Sequence, residues 1–203
     1  MPGFVVVALV AAGATLVLAV ITRTGHIQHW DDGLEAWAGI HRERVHRVAS
    51  IATLPGEWFA HPLMGAGIAS ILIVGRHVPP IPVLLSLAAA SLGATASHHA
   101  VKFIYRRARP AGALARKKTE PAFPSGHTTN TTSVLVTGAF LLVHAGAVPR
   151  DLAIAVVSIV CLCVGASRVA LGWHWSSDVV GGWLTGITVA SLCSALFLVL
   201  SRP

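Results

Sequence analysis

The sequence predicts an all-α integral membrane protein: a bundle of six transmembrane helices with an interfacial amphipathic helix in its N-terminal half. Three observations predict it. Of 203 residues, 54% are hydrophobic and 11% charged, and the mean hydropathy is +0.71, whereas an ordinary soluble domain has roughly 25% charged residues. The apolar residues gather into long runs separated by short polar breaks, and a run of about 20 crosses a bilayer. No strand-like alternation runs through these segments. Backbone in lipid must bond to itself, so the runs are read as helices.

The first run, Gly3 to Thr22, is uncharged. It has no basic leader and too long an apolar core for a secretory signal, so it is read as a span. Five more follow: Phe59 to Gly75, Ile81 to Val101, Val134 to Val148 with a Thr-rich lead-in from Thr128, Leu152 to Ser167, and Val179 to Leu200. Pro79 and Pro80 separate the second from the third, and Pro149, Arg150 and Asp151 separate the fourth from the fifth, as breakers do. Gly181, Gly182 and Gly186 suit close packing of the last helix. With no internal repeat or low-complexity linker, residues 1–203 are read as one membrane-embedded domain.

Two polar excursions interrupt the runs. From about His26 to Ser50, Leu34, Trp37, Val45 and Val48 recur at helical spacing, opposed by Asp31, Glu35, Arg42 and Arg44. An amphipathic helix in the headgroup region is expected, with Trp30 and Trp37 at the interface and its histidines on a solvated face. The second, Lys102 to His127, holds Lys102, Arg106, Arg107, Arg109, Arg116, Lys117 and Lys118 against a single acid, Glu120. That concentration attracts anions. The net charge of +7 fits lipid headgroups or a phosphate-bearing substrate, and in so hydrophobic a chain nucleic acid is not expected as a partner. Cys161, Cys163 and Cys193 all sit in apolar runs and read as small buried hydrophobes.

Three polar stretches then stand at the ends of hydrophobic runs: KFIYRRARP (Lys102 to Pro110), PSGH (Pro124 to His127) and SRVALGWHWSSD (Ser167 to Asp178). Tracing six spans puts all three ends on one membrane face. Lys102, Arg109 and Arg168 suit a dianionic phosphate, since arginine grips two oxygens at once. Ser125 and Gly126 precede a helix whose positive end is a phosphate seat. His127 and His174 can move protons or attack phosphorus. Asp178, four residues after His174, lies one turn away on a continuing helix, where it can fix the imidazole tautomer. Taken singly, each has a mundane alternative: headgroup-level cations, a helix cap, a structural ion pair. Together on one face they argue for a site, because charge at membrane depth is costly without a task.

These residues resemble the signature of the type 2 phosphatidic acid phosphatase superfamily, K-x6-RP, PSGH and SR-x5-H-x3-D. Here it reads Lys102–Arg109–Pro110, Pro124–Ser125–Gly126–His127 and Ser167–Arg168–His174–Asp178, with no departure. The resemblance implies a metal-independent, cofactor-free lipid phosphatase. In it His174 attacks phosphorus to form a phosphohistidine, Asp178 orients His174, and His127 protonates the leaving oxygen. Lys102, Arg109, Ser125, Gly126 and Arg168 bind the phosphate. A short six-span chain is similar to bacterial polyprenyl diphosphate phosphatases of cell-wall synthesis. Phosphatidylglycerophosphate, phosphatidate and polyprenyl-phosphoryl-sugar phosphatases share the signature.

Two rivals belong to other classes. Vanadium haloperoxidases use the same constellation but are soluble, and a non-catalytic phosphate-binding membrane protein would not need both histidines and Asp178. The resemblance also implies a plasma-membrane protein with its site facing outward. Charge points the other way: twelve Lys and Arg lie on the signature side (Arg23, Arg42, Arg44, Arg47, Lys102, Arg106, Arg107, Arg109, Arg116, Lys117, Lys118, Arg168) and three opposite (Arg76, Arg150, Arg202).

Overall fold

The computed structural model describes residues 2–75, 78–115 and 119–202. Arg76, Arg116, Lys117 and Lys118, counted among the cations above, lie outside the described residues. Among the described residues the fold is all helix: α1 (Pro2–Arg23), α2 (Gln28–Ala52), a 3-10 turn (Leu54–Gly56), α3 (Ala60–Val74), α4 (Pro80–Ile104), α5 (Ala111–Ala115), α6 (Gly126–His144), α7 (Arg150–Ala170) and α8 (Ser176–Leu200). The helices α1, α4, α7 and α8 are long and apolar enough to cross a bilayer, which makes this a multi-pass membrane protein. The helix α3 is apolar but 15 residues long. Their outward faces carry exposed Leu9, Val10, Leu16, Leu63, Leu92, Ile159 and Leu162, a surface suited to lipid and not to water.

The helix α8 is the hub, packed against α1, α4, α6 and α7. Its glycines do what their spacing suggested. A Cβ on Gly182 would lie 2.9 Å from the Ser125 carbonyl oxygen, and one on Gly186 would lie 2.7 Å from that of Thr129. The helices α6 and α8 therefore touch almost backbone to backbone, as small residues permit in membranes.

At α6 the apolar run covers only part of the helix. The helix begins at Gly126, well before the apolar run at Val134, and Thr128 to Ser133 are all buried. Their hydroxyls bond inside the bundle: Thr129 donates to the Ser125 carbonyl at 2.8 Å, Thr131 to that of Pro55 at 3.1 Å, and Ser133 to that of Ala90 at 2.9 Å. A helix enclosed by its neighbours needs no apolar coat, so the hydropathy pattern understated it. Purely apolar packing lies toward the other end, around Leu72, Val83, Leu87, Leu141 and Phe197.

The amphipathic helix forms as α2 and lies along α7, reaching the start of α8. Trp30 and Trp37 are exposed, as an interfacial helix requires. Its polar face is not simply solvated. Asp31 is buried, and Arg42 donates to Glu35 at 2.8 Å and to the Ala170 carbonyl at 3.2 Å. The three cysteines are free; Cys161 and Cys193 are buried, but Cys163 faces outward.

Candidate active site

Lys102 sits in the last turn of α4, and the chain then runs extended through Arg107 and Arg109. Ser125 precedes α6, Arg168 lies in the last turn of α7, His174 lies in the turn between α7 and α8, and Asp178 lies in the first turn of α8. These ends converge on a cavity of ≈ 630 Å³. Six of the eight predicted site residues line it: Lys102, Arg109, Gly126, His127, Arg168 and His174. Ser125 and Asp178 are fully buried and are not among its lining residues.

His174 is almost completely buried. Its Nε2 lies 3.2 Å from Arg109 Nη1. Guanidinium only donates, so Nε2 is the acceptor and the single proton of a neutral imidazole resides on Nδ1. That atom faces Asp178 Oδ2 at 3.4 Å, an ion-pair distance without hydrogen-bond geometry. The pair does not ride on one continuous helix, because α8 starts at Ser176. Asp178 instead reaches back over the helix start, where Oδ2 also accepts the Trp175 N–H at 2.9 Å, half of a capping box. Burial, then the cations Arg109, Arg168 and Lys102 and the neighbouring His127, push the His174 pKa well below its ordinary value of 6.5. The resting ring is therefore neutral, with its Nε2 lone pair engaged by Arg109 at the cavity wall.

Arg109 is fixed by further bonds to backbone, from Nε to the Glu120 carbonyl at 2.7 Å and from Nη1 to that of Trp173 at 2.8 Å. Arg168 donates to Thr53 Oγ1 at 2.8 Å. Lys102 is buried at the cavity wall. Ser125 is the residue before α6; its N–H donates to the Asp178 carbonyl at 2.9 Å and its Oγ accepts from Thr128 at 3.0 Å. It thus ties α6 to α8. Gly126 opens the helix with no side-chain cap on its first N–H groups, and a Cβ there would lie 3.0 Å from His98 Cε1. Uncapped N–H groups at a positive helix end are suited to an anion.

His127 lines the same cavity as His174, and its Nε2 lies 3.1 Å from Glu57 Oε1. The 3-10 turn holds it closely, since a Cβ on Gly56 would meet its Cβ at 2.7 Å. Sequence reasoning missed Glu57 and Thr53, which follow the amphipathic helix in an unremarked turn. It also missed Arg107, one cation among many, which donates to Asp178 Oδ1 at 2.9 Å and to Asp31 Oδ2 at 2.8 Å. Only spacing singled out Arg109 from that cluster.

A family model described as the PAP2 superfamily matches residues 81–201. Among solved structures, the chain is similar to one described as the crystal structure of the first transmembrane PAP2 type phosphatidylglycerolphosphate phosphatase from Bacillus subtilis. The TM-score is 0.82 at 24% sequence identity, covering 96% of this chain and 98% of that one. Among curated proteins, none matches.

Proposed function

The chain belongs to the PAP2 superfamily, and from that premise we propose that it is a lipid phosphatase working through a phosphohistidine on His174. The observation that carries this reading is the neutral His174 ring. Its Nε2 accepts from Arg109 at the wall of a cavity that His127, Lys102 and Arg168 also line. When a phosphate enters, its oxygens take over the Arg109 donors and free Nε2. Nε2 then attacks phosphorus, and the bond from phosphorus to the lipid oxygen breaks. That oxygen takes a proton from His127. Water, losing its proton to His127, next attacks phosphorus, and the P–N bond breaks to release phosphate. Charge gathering on the equatorial oxygens is met by three cations and the α6 end. Asp178 faces the nitrogen that stays protonated as the ring becomes positive.

We place the phosphate on a lipid because the cavity opens among helix ends of a multi-pass membrane protein. Polyprenyl diphosphate is the proposed substrate, on the family resemblance. The fold neighbour's phosphatidylglycerophosphate supports a second reading, a phosphate monoester on a glycerol headgroup. Residues 1–203 are proposed as a single domain with six spans, α3 and α6 joining the four longer apolar helices. The protein is proposed to reside in the plasma membrane with the cavity outside. Compartment-specific reporters fused after Pro203 test the orientation. Six spans put both termini on the side opposite the site, so a signal specific to the outer compartment would overturn it.

Purified protein in detergent should release phosphate from at least one of polyprenyl diphosphate, phosphatidylglycerophosphate and phosphatidate. Release should persist in EDTA, because the site's own cations neutralise the phosphate. Vanadate should inhibit, since it adopts the trigonal-bipyramidal shape of the transferring group. Silence on all three lipids would overturn the phosphatase reading. Activity lost in EDTA and restored by magnesium would overturn its metal independence.

A further inference from the structure

We infer that Asp31, on the interfacial helix α2, is a positioning residue for the His174–Asp178 pair: it shares the Arg107 guanidinium and so keeps a net negative charge in the buried cluster behind His174. The inference rests on the phosphatase reading above.

The geometry is a buried cluster fed by three elements. Arg107 Nη1 donates to Asp178 Oδ1 at 2.9 Å and Ser177 Oγ at 2.6 Å. Its Nη2 donates to Asp31 Oδ2 at 2.8 Å and Gln28 Oε1 at 3.1 Å. The side chains are 7% exposed for Arg107, 1% for Asp31 and 0% for Asp178, so solvent screens them little. Asp31 also accepts from Ser176 Oγ at 2.6 Å, Ser177 N–H at 3.0 Å and Ser177 Oγ at 2.5 Å. A carboxylate of α2 therefore closes the N-terminus of α8, the turn that carries Asp178. Burial pushes the Asp31 pKa up, but the bonds from Ser176, Ser177 and Arg107 outweigh it and hold the carboxyl below 3.8. Asp31 stays charged.

One cation between two carboxylates leaves a net negative charge behind His174 Nδ1. Attack on phosphorus makes the ring positive, and that charge faces the cluster. Remove the charge of Asp31, and Arg107 is neutralised by Asp178 alone. The oxygen facing His174 then belongs to a neutral pair, and stabilisation of the positive ring is lost. Asp31 never touches the phosphate, because it is not part of the cavity wall. It also lies outside residues 81–201, so nothing in the family match assigns it a role.

The test compares full-length wild type, Asp31→Asn, Arg107→Lys and Ser176→Ala on the lipid that wild type hydrolyses. Asp31→Asn should lower kcat on the order of 10–100-fold, the size of an outer-shell carboxylate effect. KM and vanadate inhibition should stay within about 2-fold. His174 is faced by Lys102 from α4, Arg109 beyond it, His127 from α6, Arg168 from α7 and Asp178 from α8. Losing the Asp31 charge makes these surroundings more positive and disfavours the protonated ring. The acid limb of kcat should therefore move to lower pH even as the plateau falls.

Arg107→Lys leaves one cation between the two carboxylates, so it should lower Tm while keeping kcat per folded molecule within about 3-fold of wild type, and it carries the test if Asp31→Asn does not fold. Ser176→Ala weakens only the closure of α8 and should keep kcat within about 3-fold of wild type. If folded Asp31→Asn turns over at the wild-type rate with only a lower Tm, or if folded Arg107→Lys loses kcat as far as the charge-removing variant should, net charge is not what Asp31 supplies and the inference fails. A wild type inactive on every lipid would instead sink the phosphatase reading, and the inference with it.

Discussion

His174→Ala should abolish steady-state phosphate release, with turnover reduced by about 10⁵-fold or more, as when a covalent nucleophile is removed. Among the described residues no other imidazole lies within ion-pair distance of Asp178. His127 is held by the 3-10 turn and pairs with Glu57. The fold should survive, because the lost ring borders a cavity of ≈ 630 Å³ and leaves no sealed void. Arg109 stays anchored by the carbonyls of Glu120 and Trp173, so vanadate should still bind the variant. The wild type quenched with alkali during turnover should carry labelled phosphate lost on brief acid treatment, as a phosphohistidine is; His174→Ala should carry none. Repeated turnover by the variant would remove His174 as the nucleophile.

Asp178→Asn should cost turnover approaching ~10⁴-fold with KM little changed, by analogy with other histidine–aspartate pairs. The structure adds a second expectation. Asp178 accepts from Arg107 and from the Trp175 N–H on opposite oxygens. An asparagine has one carbonyl oxygen for these two donors, and its amide must point at one of them. Breaking a buried ion pair destabilises by roughly 3–5 kcal/mol, so Tm should fall as well. The two effects separate when turnover is measured per folded molecule at a temperature where the variant is fully folded. A lower Tm with near-wild-type turnover would make Asp178 structural only.

The cavity was legible in the sequence because its residues sit at the ends of apolar runs, and run ends on one face must meet. That reasoning brought His127, His174 and Lys102 to one face, and the signature spacing picked out Arg109 from its basic neighbours. It could not resolve what an amphipathic pattern does with its polar side. Asp31 and Glu35 look alike on a helical wheel, yet Asp31 is buried against α8 and Glu35 is half-buried beside Arg42. Periodicity names a face and says nothing of its partner. Arg107 was hidden for a related reason: seven basic residues in one stretch carry no mark of which one turns inward. The apolar run marked only part of α6 because hydropathy measures contact with lipid, whereas Thr128 to Ser133 are buried in the protein.

The close approach of α6 and α8 divides the site into two mechanically different walls. Where Gly182 and Gly186 meet the backbone at Ser125 and Thr129, van der Waals repulsion rises steeply, and no rotamer change can absorb a displacement. The two histidines flank that seam, His127 on α6 and His174 just ahead of α8, so their separation is set across a backbone contact. The facing wall is built differently. Thr53 accepts from Arg168 and Glu57 pairs with His127, while Gly56 of the 3-10 turn packs against His127. The reacting nitrogens are thus positioned by backbone contact on one side and by side-chain bonds on the other.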